Sequence, residues 1–85
     1  MHPARLLERI RRHHLQNVDF LDLVGLLDAV GFRLDRIRGS HHLYRHPSLR
    51  RRLVLQPEQG RAKPYQLRQL LRLMEEYNLV LEREP

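Results

Sequence analysis

The residues of this chain best suited to chemistry are His41 and His42, which directly follow a Gly39-Ser40 pair. An imidazole has an ordinary pKa of about 6.5, so it can take a proton from a ribose 2′-hydroxyl or give one to a leaving 5′-oxygen, worth roughly 10² to 10⁴ in rate. Gly39 allows the positive φ or close backbone approach that a tight turn or a phosphate neighbour requires. Ser40 shares that turn, and beside His41 it has the elements of a nucleophile and its base. No orienting or oxyanion group accompanies it, and serine is a common turn residue. For zinc, His41, His42 and His46 lack a well-spaced fourth ligand, and adjacent strand residues point to opposite faces, so no metal site is expected. His13-His14 reads as a surface pair.

Groups that would hold a phosphate are abundant and unevenly placed. Fifteen of the 16 basic residues are arginine, and the formal net charge is +6. Residues 1–32 balance four arginines against four acidic groups, residues 33–72 carry eleven basic residues against Asp35 and Glu58, and residues 73–85 carry Arg83 against four glutamates. The positive field therefore belongs to the middle forty residues and suits a nucleic-acid backbone. Each phosphate contact would contribute a salt slope of about −0.9 on duplex DNA or about −0.7 on a single strand. Arg38 and Arg45 flank the histidine pair. Arg50-Arg51-Arg52 is one further phosphate candidate, and Arg61 with Lys63 is another, because the helix start that follows offers free N–H groups. Tyr44 and Tyr65 are candidates for stacking on bases. The blander explanation is an arginine-rich solvated surface, and it is the distribution rather than the total that favours nucleic acid.

The elements that must position these groups follow from periodicity. Pro3 suits a first helical turn, and Leu6, Leu7, Ile10 and His14 recur at helical spacing, which predicts a helix over 3–14. Asp19 is placed as an N-cap for a second helix whose Phe20, Leu23, Val24, Leu27 and Val30 form a buried stripe, with Gly31 as its left-handed stop. From Phe32 the period becomes two, with Phe32 and Leu34 alternating against Arg33 and Asp35 up to the Gly39-Ser40 turn. A second strand places His41, Leu43 and Arg45 on one face and His42, Tyr44 and His46 on the other, until Pro47-Ser48. Residues 51–56 predict a third strand with Leu53 and Leu55 inward. A last helix starts near Pro64, with Leu67, Leu70, Leu71, Met74 and Tyr77 in a stripe and Asn78 as its cap. Leu79, Val80 and Leu81 are expected to pack back before the charged end frays. The expected architecture is α+β, in the order α-α-β-β-β-α, with helices covering one face of a three-stranded antiparallel sheet.

At 85 residues the chain reads as a single domain with a thin core. Without cysteine it has no disulfide, thiolate metal site or thiol nucleophile, and it fits an intracellular protein. Arg5, Glu8 and Arg9 stand where a signal peptide would need an apolar run, and no apolar stretch is long enough to span a membrane, so a cytoplasmic protein is expected.

The segment Gly31-Phe32-Arg33-Leu34-Asp35-Arg36-Ile37-Arg38-Gly39-Ser40-His41-His42-Leu43-Tyr44-Arg45-His46-Pro47 resembles the signature of the HicA toxin family. That signature is a Gly-aromatic pair ending a helix, a strand, Gly-Ser-His-His, two residues that are usually apolar or aromatic, and a nearby His-Pro. The resemblance covers residues 19–78. It implies a small ribonuclease that cuts mRNA without a metal or other cofactor, a fold like that of double-stranded-RNA-binding domains, and neutralisation by a HicB antitoxin. It also implies that His41 is the residue required for activity, accompanied by Gly39, with His42 as support. Two features depart from the family pattern. An additional helix within residues 1–16 precedes the core, and Leu55-Gln56-Pro57 and Lys63-Pro64-Tyr65-Gln66 replace the usual Val-Pro run and Lys-Pro-Gly-Thr helix start. Three functions remain in view: a metal-independent endoribonuclease using His41, a non-catalytic RNA-binding module with the same basic face, and an interaction protein that pairs through its open sheet face or extra helix.

Overall fold

Left-handed residues set the helix ends. In the computed structural model, which describes residues 1–82, α1 spans Pro3–Arg11 and is capped by the His2 imidazole, which accepts the Ala4 N–H at 3.2 Å. It stops short of residue 14 because His13 adopts φ 62 and the His14 N–H returns to the Arg9 carbonyl at 2.9 Å. That six-to-one closure satisfies a carbonyl that the helix end would otherwise orphan. Leu15, rather than His14, then joins Leu6, Leu7 and Ile10 inside. α2 (Phe20–Val30) closes the same way, with Gly31 at φ 107 and the Phe32 N–H bonded to the Leu27 carbonyl. Its N-cap is Asp19, as expected, although the Asp19 side chain makes no capping bond. α3 (Pro64–Tyr77) ends at Asn78, φ 56, with the Leu79 N–H on the Met74 carbonyl.

α2 is the centre of the core. Phe20, Leu23, Leu27 and Val30 are buried as their spacing predicts, and Leu26 and Ala29 are buried as well. Two apolar faces on one helix need two covers. The sheet lies on one side, and α1 packs against α2 and touches α3. Leu6, Leu7 and Ile10 of α1 are 0–3% exposed, so the N-terminal helix is part of the core. After α3, Leu79 is buried, Leu81 is half-buried and Val80 is exposed, while the expected fraying beyond them falls outside the described residues.

The sheet has the order β1-β2-β3 and is antiparallel throughout, with β1 at Arg33–Arg38, β2 at His41–Arg45 and β3 at Leu53–Leu55. β3 is shorter than the expected 51–56. In β1 the strict alternation breaks: Leu34 faces Tyr44 and Arg36 faces Leu43, so Asp35 is an extra residue and the strand carries a bulge. The consequence is a change of side. Leu34 and Ile37 share the helix-covered face with His42, Tyr44, Leu53 and Leu55, whereas Arg36 and Arg38 lie on the open face with His41, Leu43, Arg45 and Val54. The Asp35 carboxylate accepts from Arg52 Nε at 2.8 Å and Arg36 Nε at 3.4 Å, which ties β1 to the segment entering β3. The Arg52 hydrogen bond, above all, holds the Asp35 carboxyl below its ordinary value of 3.8.

Ile10→Ala, which empties a site that is 1% exposed, is expected to cost about 2–5 kcal/mol in chemical denaturation. Leu21→Ala, at a residue 80% exposed, should stay within about 0.5 kcal/mol of the parent. A carboxyl whose folded pKa is depressed contributes stability above its unfolded value and loses it as the pH falls through the folded one. Asp35 should therefore stabilise the protein relative to Asp35→Asn by a constant amount at neutral pH. That difference should vanish as the pH drops below 3.8, as followed by thermal unfolding in buffers of decreasing pH.

Candidate active site

The turn that carries the histidines is a two-residue hairpin loop, closed by the Arg38–His41 pair. Gly39 has φ 59 and Ser40 has no positive φ, the pattern of a II′ turn, whose twist matches that of the flanking strands. A Cβ on Gly39 would meet nothing within 4 Å, so glycine is required there by backbone conformation and not by crowding.

The three histidines of this segment have three different surroundings. His41 is exposed on the open face, directly across from Arg38, and its side chain has no hydrogen bond, ion pair or ring contact among the described residues. His42 is half-buried on the other face between Ile37 and Leu55, with its ring edge-on to Phe20 at 5.1 Å. His46 is 6% exposed: its Nδ1 accepts the Ser48 N–H at 3.0 Å, which leaves the proton on Nε2 to be donated to the Val30 carbonyl at 3.1 Å. Its ring stands against Phe32 at 5.0 Å, so it clamps the end of β2 to the end of α2. In the sequence His46 stands out only as a possible metal ligand. Its clamping role was legible, if anywhere, in its place next to Pro47 at a strand end. His41 is the one histidine of the three free to meet a substrate.

The basic residues fall into two groups. Arg38 stands beside His41. Phe20, on which His42 rests, donates its N–H to the Gly60 carbonyl at 2.9 Å, and this places the 57–63 loop with Arg61 and Lys63 at the hairpin end of the molecule. There Arg61 is engaged by Asn17 Oδ1 at 2.8 Å, Lys63 Nζ lies 5.9 Å from the Tyr65 ring centroid, and the Lys63 N–H is taken by Gln66 Oε1. At the opposite end are Arg45, facing Arg33, and the Arg50-Arg51-Arg52 loop, in which Arg52 is bound to Asp35. Arg36, which sequence reading passed over, lies on the open face between the two groups because of the bulge. Tyr44 is 5% exposed and cannot stack on a base. Its burial raises the phenol pKa above 10.0, so it stays neutral. Tyr65 remains 52% exposed. Among the described residues no three His, Cys, Asp or Glu side chains are grouped to hold a metal ion, and no helix is long and apolar enough to cross a membrane.

Compared with known proteins, residues 21–75 match the sequence model of the family described as HicA toxin of bacterial toxin–antitoxin. The match runs from α2 into α3 and includes the whole hairpin, while α1 lies outside it. No curated protein and no solved structure matches the chain.

Gly39→Ala forces a side chain into left-handed backbone and should cost about 1–2 kcal/mol. In a domain of this size each kcal/mol appears as a fall in Tm of about 4–8 °C.

Proposed function

Because the chain belongs to the HicA toxin family of bacterial toxin–antitoxin systems, we propose that it is a metal-independent endoribonuclease acting on mRNA in the cytoplasm, with His41 as its proton-transfer group. The observation that carries this reading is the position of His41. It is exposed on the open sheet face, held by a two-residue turn on a strand and paired across the hairpin with Arg38. In the step we infer, the 2′-oxygen attacks the adjacent phosphorus as neutral His41 accepts its proton. The bond from phosphorus to the 5′-oxygen breaks, and the imidazolium returns the proton to that leaving oxygen. Charge gathers on the phosphoryl oxygens, where Arg38, across the hairpin from His41, supplies a fixed positive charge. Gly39 and Ser40 shape the turn, and His42 holds it down on Phe20. Arg45, Arg50, Arg51, Arg52, Arg61 and Lys63 are the remaining RNA-contacting candidates. No cofactor enters this scheme.

Membership of the family gives the chain an antitoxin partner, for which we propose a HicB-like protein. The family match begins at residue 21, so we read α1 as an addition to the 19–78 core within one domain. One observation favours a second reading, that of a non-catalytic RNA-binding module: no described residue orients the His41 ring.

His41→Ala should reduce RNA cleavage by roughly 10²-fold or more while leaving the thermal unfolding curve in place, because the side chain is exposed and unpartnered. Chelation with EDTA should change nothing. Cleavage by the variant at the parent rate would sink the assignment, and salt-sensitive RNA binding without cleavage by either protein would select the binding module.

A further inference from the structure

A cleft of about 530 Å³ opens between the 48–53 segment and the flank of α3, at the end of the molecule away from the hairpin. Leu53 in its lining pairs with Tyr44 on the helix-covered face, and His41 lies three residues further back along β2, about 10 Å at strand rise but on the open face, so a strand of RNA reaching both would pass around the β3 edge of the sheet. The lining has three chemical parts. Leu49, Leu53 and Leu73 give the lining its apolar part, Tyr77 brings an aromatic ring that is 46% exposed, and Arg50 and Arg51 bring guanidiniums. Neither arginine has a hydrogen bond or ion pair among the described residues, whereas the neighbouring Arg52 is committed to Asp35. Gln69 adds an amide that can both donate and accept.

We propose that this cleft holds an unpaired nucleotide of the RNA at a distance from the phosphate being cut. The Tyr77 ring stacks on the base, Gln69 meets its edge, and Arg50 and Arg51 bind the flanking phosphates. The assignment rests on the chain being RNA-directed. Free guanidiniums beside a half-exposed ring and an apolar lining are what single-stranded nucleic acid requires, since stacking tolerates any base and the backbone follows the positive charge. A duplex keeps its bases stacked on each other and cannot use the ring. A single strand anchored both here and near His41 has its register on the enzyme set by two points, so this end of the fold contributes to which phosphate reaches the histidine.

The test measures binding of a fluorescent single-stranded RNA oligonucleotide to the full chain, with cleavage of that oligonucleotide and of a dinucleotide followed in parallel. Tyr77→Ala should weaken oligonucleotide binding about tenfold, the scale of one lost base stack. It should also shrink the kcat/KM advantage of the oligonucleotide over the dinucleotide by a similar factor, through KM. Tyr77→Phe, which keeps the ring, should bind as the parent does. Circular dichroism of both variants should match the parent, since residue 77 is the exposed last residue of α3. Parent-like binding by Tyr77→Ala overturns the proposal, as does loss of antitoxin binding with RNA binding intact, which would make the cleft a protein contact. Weakened binding by Tyr77→Ala with no cleavage by any variant supports the cleft while removing the endoribonuclease reading. Failure of the parent to bind the oligonucleotide overturns both.

Discussion

The side on which Arg38 meets His41 exists because β1 carries one residue more than β2 between Leu34 and Arg36. Without that bulge, strict alternation would turn Arg36 and Arg38 to the face of Leu34 and Ile37, themselves 48% and 52% exposed, and would take both guanidiniums away from His41. With it, Ile37 joins His42 and Leu55, and the two arginines join His41 on the open face. The extra residue is itself held. Asp35 is bound by Arg52 and Arg36, so the carboxylate that marks the irregularity also links β1 to the approach of β3. An exposed ion pair adds little to global stability. Its consequence here is geometric, since it anchors the point at which β1 changes phase.

The second dependence runs from the core to the hairpin. α2 is covered on two faces, by α1 and by the sheet, and both its ends are fixed by backbone closures. Its first residue, Phe20, meets His42, and its last turn receives His46 through the Val30 carbonyl. β2 is therefore fastened to α2 at both ends by histidines, and His41 projects from the opposite face of a strand that cannot easily shift. The same amino acid occurs three times within six residues and takes three roles, as proton-transfer candidate, ring contact and buried clamp. Strand alternation and the depth of cover decide which histidine has which role.

The charge pattern follows the same architecture. The middle of the sequence carries most of the basic residues, and the fold divides that charge between the hairpin end and the loop that lines the distal cleft. Several guanidiniums are also taken up internally: Arg52 by Asp35, Arg61 by Asn17 and Arg33 by Asp28. These pairings leave the net of +6 unchanged, because it already counts Asp35 and Asp28, but they decide which guanidiniums remain to meet a phosphate backbone.

What the sequence by itself determined were the local features. Helical spacing and the left-handed stops at Gly31 and Asn78, the glycine turn before the histidines, the opposite facing of His41 and His42, and the family resemblance centred on that turn all depend on residues within a few positions of each other. The tertiary structure decided what depends on residues far apart in the chain. The bulge at Asp35 is invisible to a period-two reading because it shows only in the pairing with β2, and its carboxylate is held by Arg52, seventeen positions away. Left-handed His13 gives Leu15 the place expected for His14, and Leu26 and Ala29 are buried outside the stripe that helical spacing picks out. The cleft beside Tyr77 joins a loop to a helix flank sixteen or more residues later in the sequence. Periodicity reports which face of an element is apolar, while its neighbours alone decide what covers that face and which charged groups end up side by side.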